Sequence, residues 1–570
     1  MSAFIKQTTF ALLLTASTKN AKRKLAVDIQ RKWTQLVFGT TTDNPKFFWL
    51  LVDTFLVPSI ISPFYEVVPA VPAVCASVCD TLWFGRDKCS SNRRSGALCV
   101  GVHRQSVLLL VSILAHRCFV MVVRRLNALS SDSAAGLLSE KLAFPTSQRI
   151  ATSRFLKAAL TERTSTWDAK QREKCGIPTE GLLNLYQKWA HGGFGVILTG
   201  NVMVDPDHLE SAGNAIIHES IDSAERRNAF KQWADAIKAS GSLAIAQLSH
   251  AGRQTPVTIN QSPFSSSDVQ LAVIRRGSGF GKPIPLSPTQ IQELIKNYVY
   301  AAKYCYQAGF DGVQLHAAHG YLLAQFLSPT TNRRTDEYGG SLHNRARIIF
   351  EIYDAIRREI PSDSKFIVGI KMNSVEFQHG GLSNDDASII AEELEKTGFD
   401  FLELSGGTIE KLGFQHMRDS TRQREAYYLE FAKEVKKRLS KTVVYLTGGF
   451  RTAYWMARAV EDGITDGVGL GRPITAEPDL PLKIMLGAVD AAVDSLLDQD
   501  DFGITNLASN TQMYQAGLSR IDKSDLSGGI MDLSDADVAE RYKDAANDYV
   551  AQITEAAARG TPVYGVLKFP

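Results

Sequence analysis

The chain has 570 residues with 44% hydrophobic and 22% charged side chains, ordinary globular values that exclude a collagenous, low-complexity or wholly disordered polymer. Its formal net charge of +3 conceals an asymmetry, because residues 1–140 hold 16 Lys+Arg against 8 Asp+Glu while residues 141–570 hold 47 against 52. Cys75, Cys79, Cys89, Cys99 and Cys118 share that basic quarter; only Cys175 and Cys305 follow, which excludes a disulfide framework there and fits a reducing, cytoplasmic compartment.

Residues 1–27 carry Lys6, Lys19, Lys22, Arg23 and Lys24 and no acid around the apolar run Phe10 to Leu14, a loose likeness to a targeting segment. Two longer apolar runs follow, residues 47–61 and 107–123. Asp53 and Pro58 interrupt the first, and His116 with Arg117 the second, where a charge in lipid costs about 2.5 kcal/mol or more. Neither offers the roughly 20 clean apolar residues of a spanning helix. Cys75 and Cys79 have no second pair at zinc-site spacing. Residues 1–140 are read as an extension outside the working unit, with targeting and membrane association left open.

After Phe144 short β-branched runs alternate with amphipathic helical stretches, the pattern of repeated βα units. The predicted strands are Arg154 to Leu160, Phe194 to Gly200, Leu243 to Leu248, Gly312 to His316, Phe366 to Met372, Phe401 to Ser405, Val443 to Thr447 and Gly467 to Leu470. The sharpest helix start is at Ser287, a capping hydroxyl followed by Pro288 and by Gln290, which can reach back. Ile291, Leu294, Ile295, Tyr298 and Ala302 then mark one core-facing stripe. Eight units predict a (β/α)8 barrel over residues 141–490, with a doubly wound open sheet as the competing arrangement. Residues 491–570, acidic and Ala-rich, are expected to form a helical C-terminal extension, for example over Asp535 to Arg559.

Function in such a barrel sits at the C-terminal strand ends. The fourth strand ends in HAAHGY, so His316, His319 and Tyr321 leave one strand end together. Two neutral imidazoles can grip a carbonyl or carboxylate oxygen while a phenol delivers a proton nearby. The bland alternative is a pair of core histidines with satisfied hydrogen bonds.

The run FLSPTTNRRTDEYGGSLHNR (326 to 345) follows, and with HAAHGY it resembles the Old Yellow Enzyme family of FMN-dependent NAD(P)H oxidoreductases. The resemblance spans roughly residues 145–480. It implies that Ala159, Leu160 and Thr161 in RFLKAALTE lie against the flavin, that Gly200 in ILTGN and Gln247 in IAQLSHAGR bond its edges, and that Lys371 in VGIKMN stands beside N1 and O2. It also implies that Gly448 and Gly449 in TGGF, with Gly471 and Arg472 in GLGRP, hold the phosphate. These residue types suit such roles, since donors tune a flavin, and glycine amides plus a forked cation bind phosphate. Many relatives carry arginine at the Lys371 position, one subgroup cysteine at Thr161, and often proline at Ala159. A lysine keeps the charge as a point instead of a fork.

Absences narrow the possibilities. No cysteine follows Cys305, so the iron–sulfur cluster of the larger dienoyl-CoA reductase type cannot form. GSGFGK (277 to 282) mimics a phosphate loop but does not join a strand to a helix of a βαβ unit. The expected activity is reduction of the C=C bond of an α,β-unsaturated carbonyl compound, with FMN as cofactor, NAD(P)H as reductant, His316 and His319 on the substrate oxygen and Tyr321 as proton donor. Alternatives are an FMN-dependent NAD(P)H oxidase, quinone reductase or isomerase, or a Schiff-base aldolase-type barrel using Lys371. Small molecules and no nucleic acid are the expected partners; no metal is implied, and oligomeric state is left open.

Overall fold

The computed structural model describes residues 123–129, 133–275, 277–411 and 428–570, which form one compact unit, Val122–Pro570. The basic segment 1–27, the apolar run 47–61, all of the run 107–123 but Val123, and the five N-terminal cysteines lie outside the described residues.

Eight parallel strands form a closed ring: β1 (Phe155–Lys157), β2 (Val196–Met203), β3 (Leu243–Ser249), β4 (Gly312–Ala317), β5 (Ile367–Asn373), β6 (Phe401–Ser405), β7 (Val443–Thr447) and β8 (Gly467–Leu470). Pairing of β1 with both β2 and β8 closes it, which rules out the open sheet. All eight predicted strands are present. The first is shorter than expected, and the second runs on to Met203 through a register shift between Leu198 and Asn201.

Alternation along each strand decides the barrel's chemistry, since every second side chain points inward. At the lower end Leu156, Val196, Leu243, Ile367, Phe401, Val443 and Tyr445 fill the interior, and Phe144 plugs it from a hairpin of Leu142–Ala143 with Ile150–Ala151. A Cβ on Gly369 would strike the Phe401 ring, so the small residue admits the large one. Two residues further along the same strands the inward positions become Lys371, Glu403 and Thr447. One end of the barrel is dry and the other polar.

The helices that clothe the ring include α1 (Glu180–Ala190), α2 (Ala224–Ile237) and α3 (Pro288–Ala308). The capping box of Ser287 and Gln290 is present at α3, and Gly309, left-handed at φ 88°, ends it. Its predicted stripe is buried, at about 1.5–3 kcal/mol for each large apolar side chain. Beyond β8 the extension contributes α4 (Phe502–Gly517) and α5 (Ala536–Ala558). Helix α4 crosses α1 where Gly517 meets Gly181, and Lys188 Nζ donates to the Ala516 carbonyl at its C-terminal end (2.7 Å). Helix α5 buries Ala539, Tyr542 and Ala546 with Leu507 and Leu567. No described helix is long and apolar enough to cross a membrane.

Described residues ahead of the expected boundary near residue 140 contact the barrel unit. Arg125 donates to Glu477 (2.9 Å) and to the Ala491 carbonyl (2.7 Å), and Leu138 is wholly buried in the main core. A chain beginning at Ser139 should therefore be less stable than one beginning at Val122 by about 3 kcal/mol or more in urea titration. Coincident midpoints would remove this strap from the folding unit.

Candidate active site

The chain leaves β4 after Ala317 and turns through two left-handed residues, His319 (φ 58°) and Gly320 (φ 77°), before Tyr321 opens the short helix Leu322–Leu327. A left-handed histidine costs about 1–2 kcal/mol, and three contacts hold it. Its N–H donates to Asn373 Oδ1 (3.2 Å), its carbonyl accepts from Gln254 Nε2 (2.7 Å), and its Nε2 lies 3.0 Å from Ser405 Oγ. The turn brings the three rings together: His316 and His319 are 5.6 Å apart and nearly perpendicular, and His316 and Tyr321 are 4.5 Å apart.

Both imidazoles are neutral. Burial first, then the neighbouring His319 and Lys371, holds His316 well below the usual histidine range, while burial and the Lys371 charge push His319 down to about 3. His316 Nδ1 accepts the Ala318 N–H (3.4 Å), so the ring's own proton sits on Nε2.

Beneath the histidines a buried polar chain crosses five strands. Gln247 Nε2 donates to Gln314 Oε1 (2.8 Å), Gln314 Nε2 donates to Glu403 Oε2 (2.8 Å), and Glu403 Oε1 accepts from Lys371 Nζ (2.9 Å) and Thr447 Oγ1 (2.7 Å). Buried and committed to a carboxylate, Lys371 is unlike an amine open to a carbonyl substrate, which counts against the Schiff-base alternative. Sequence reasoning missed Gln314 and Glu403. The available signal was period two: Gln314 precedes His316 by two residues, and Glu403 sits between the inward-facing Phe401 and Ser405.

At the other side of the mouth, Thr161 Oγ1 donates to Asn201 Oδ1 (3.1 Å). The Gly200 N–H donates to Glu162 Oε1 (3.0 Å) and Tyr186 OH (2.9 Å). Glycine is required there because a Cβ would collide with Glu162 and the Leu160 carbonyl. Ala159 and Leu160 close β1's upper end, and Leu160 Cδ2 lies 3.6 Å from where a Cβ on Gly471 would stand. Gly448 (φ 133°) and Gly449 (φ 93°) follow β7 in conformations that side chains disfavour. Arg472 Nη1 donates to Thr505 Oγ1 (2.7 Å), and among the described residues no carboxylate pairs with its guanidinium.

This donor set fits a phosphorylated flavin. A half-buried arginine without a carboxylate can take a phosphate, and the side-chain amide nitrogens of Asn201 and Asn373 are buried donors lacking a partner among the described residues.

A second histidine cluster stands on the β2 and β3 loops. His208 Nδ1 lies 3.0 Å from Asp205 Oδ2, and the His208 and His250 rings stack at 4.3 Å. Each ring accepts a backbone N–H on its other nitrogen, from Phe264 (2.8 Å) and Gly252 (3.1 Å) respectively. A metal on the remaining nitrogens would require two imidazolates, so the arrangement suits neutral rings donating toward Asp205. Burial, followed by the nearby His208, pushes His250 from 6.5 down to about 4. The unfolded chain then takes up the proton first, so stability is fully present above pH 6.5 and lost as pH falls toward 4, at up to about 1.4 kcal/mol per pH unit for this group. Depressed His316 and His319 act in the same direction. Urea midpoints at pH 7, 6 and 5 should fall in that order; a flat series would contradict the neutral buried rings.

The profile of the NADH:flavin oxidoreductase / NADH oxidase family matches residues 152–490, a span that contains all eight strands. The chain belongs to this family. A NADH-dependent flavin oxidoreductase, nadA of Aspergillus parasiticus, is 42% identical over 395 residues, covering 68% of this chain and 87% of the relative. A putative 12-oxophytodienoate reductase 5 of Oryza sativa subsp. japonica is 34% identical over 271 residues, covering 46% of this chain and 68% of the relative. Among solved structures, morphinone reductase superposes with a TM-score of 0.50 at 25% identity, over 63% of this chain and 91% of that one. As a member of the Old Yellow Enzyme family the protein is an oxidoreductase with FMN as cofactor and NAD(P)H as reductant.

Proposed function

We propose that the enzyme reduces the C=C bond of α,β-unsaturated carbonyl compounds. The observation that carries this reading is the convergence of two neutral imidazoles and a phenol on one strand end beside the polar floor. Relatives named as reductases of 12-oxophytodienoate and morphinone support it.

FMN, held by Arg472 and the amides near Gly448, Gly449 and Gly471 at its phosphate and by Thr161, Gln247 and Lys371 at its ring, would supply hydride taken from NAD(P)H. The remaining work falls to the protein. His316 Nε2–H donates to the substrate carbonyl oxygen, and His319, fixed against Ser405, aligns beside it. Both stay uncharged across physiological pH, so they polarise the carbonyl without exchanging a proton with it. One such donor is worth about 10²–10³ in rate when preorganised. Tyr321 gives its proton to the α-carbon. Ala159 and Leu160, just beyond β1, would pack against the flavin face.

Anaerobic incubation with NADH and a simple cyclic enone tests the reading. Saturated ketone should form in equal amount to NADH consumed. Consumption of NADH only in air, or of a quinone without enone reduction, would replace it with the oxidase or quinone-reductase alternative; a double bond shifted without net NADH loss would indicate an isomerase.

A further inference from the structure

The family match ends at residue 490, yet helix α4 of the extension reaches back to the ends of β1 and β8. We infer that α4 completes the phosphate subsite, with Thr505 as a positioning residue for Arg472. This rests on the placement of the FMN phosphate at Arg472 proposed above.

The polarity of the contact is defined. Thr505 Oγ1 donates its own hydrogen to the Asp501 carbonyl one helical turn back (2.8 Å), so toward Arg472 Nη1 the oxygen acts as an acceptor, at 2.7 Å. Thr505 is buried, which keeps water from taking its place. The same helix fixes the surrounding backbone. Gln512 Oε1 accepts from Thr475 Oγ1 (2.7 Å), a hydroxyl that also bonds the Arg472 carbonyl (2.8 Å), and Asn510 Nδ2 donates to the Thr161 carbonyl at the end of β1 (2.7 Å).

The chemistry of the partner matters. A carboxylate opposite Arg472 would orient the guanidinium but also neutralise it and compete with a phosphate. A hydroxyl oxygen uses one of five N–H donors and leaves the full charge for a dianion. Thr505 therefore orients the fork without occupying its charge.

Riboflavin, which lacks the phosphate, separates this role from general support of the fold. Flavin-stripped full-length protein is titrated with FMN and with riboflavin, following quenching of flavin fluorescence. Thr505→Val should weaken FMN binding about tenfold and leave riboflavin within twofold, while Thr505→Ser, which restores the acceptor, should return FMN binding to the wild-type value. Thr505→Ala, with no hydroxyl and no added bulk, reads the same ratio should the valine variant fold poorly. Equal weakening of both flavins, or unchanged FMN binding, would overturn the inference. Arg472→Ala tells the two failures apart. Loss of FMN preference in Arg472→Ala but not in the Thr505 variants leaves the phosphate placement standing and removes only Thr505, whereas retention of preference in Arg472→Ala removes the placement itself.

Discussion

Replacing Tyr321 by phenylalanine will slow oxidation of the reduced enzyme by an enone about 10²–10⁴-fold while leaving reduction by NADH within about twofold. The asymmetry follows from where protons move. Only the second half-reaction needs a proton at the substrate α-carbon, and the buried phenol 4.5 Å from the His316 ring is the proposed source. Phenylalanine keeps that ring contact and the entry into the Leu322–Leu327 helix while removing the proton. Rapid mixing of each half-reaction under anaerobic conditions gives the two rates separately. A comparable loss in both would show that Tyr321 shapes the pocket instead of delivering the proton.

Glu403→Gln carries the largest expected loss of stability. The carboxylate is fully buried and receives hydrogen bonds from Lys371, Gln314 and Thr447, and in either orientation an amide in its place sets its nitrogen against another donor, the Lys371 ammonium or the Gln314 amide. Breaking one side of a buried ion pair costs about 3–5 kcal/mol, because the other charge is left without compensation. The same carboxylate also supports the charge of Lys157, whose pKa burial lowers to about 8 against the pull of Glu162 and Glu403. Pairing the change with Lys371→Met removes the stranded charge. The double variant should then recover more than about 1 kcal/mol relative to the sum of the two single losses in urea titration. Strict additivity would mean that the two groups do not act as a pair.

Much of the barrel is legible in the sequence. Each strand is a short apolar run bounded by turn residues, and Ser287, Pro288 and Gln290 announce α3 because a cap is written within four consecutive residues. His316, His319 and Tyr321 are legible for the same reason, lying within one hexapeptide whose left-handed turn at His319 and Gly320 folds them together. Gly200 is named for a flavin contact only through the resemblance of ILTGN; that its amide bonds Glu162, beyond the end of β1, is not written in the residues around it. Helix α4 gives little periodic signal, since it is buried on nearly every side between α1 and the rest of the extension. Its Leu507, Asn510, Thr511 and Gln512 are covered alike.

By itself the sequence determined the order of strands and helices, the polar or apolar identity of every inward position, and the contiguous histidine and tyrosine motif. Those properties depend on steric preference and on side-chain spacing within a few residues. Only the tertiary structure decided which inward groups meet: Gln314 reaches Glu403 across 89 residues, Lys371 finds it across 32, and Thr505 finds Arg472 across 33. Closure of the ring makes the first two pairings and the packing of α4 on the barrel makes the third, because a buried charge or amide must find its partner on whichever element the fold sets beside it, and that neighbour is defined by register and curvature instead of by distance along the chain.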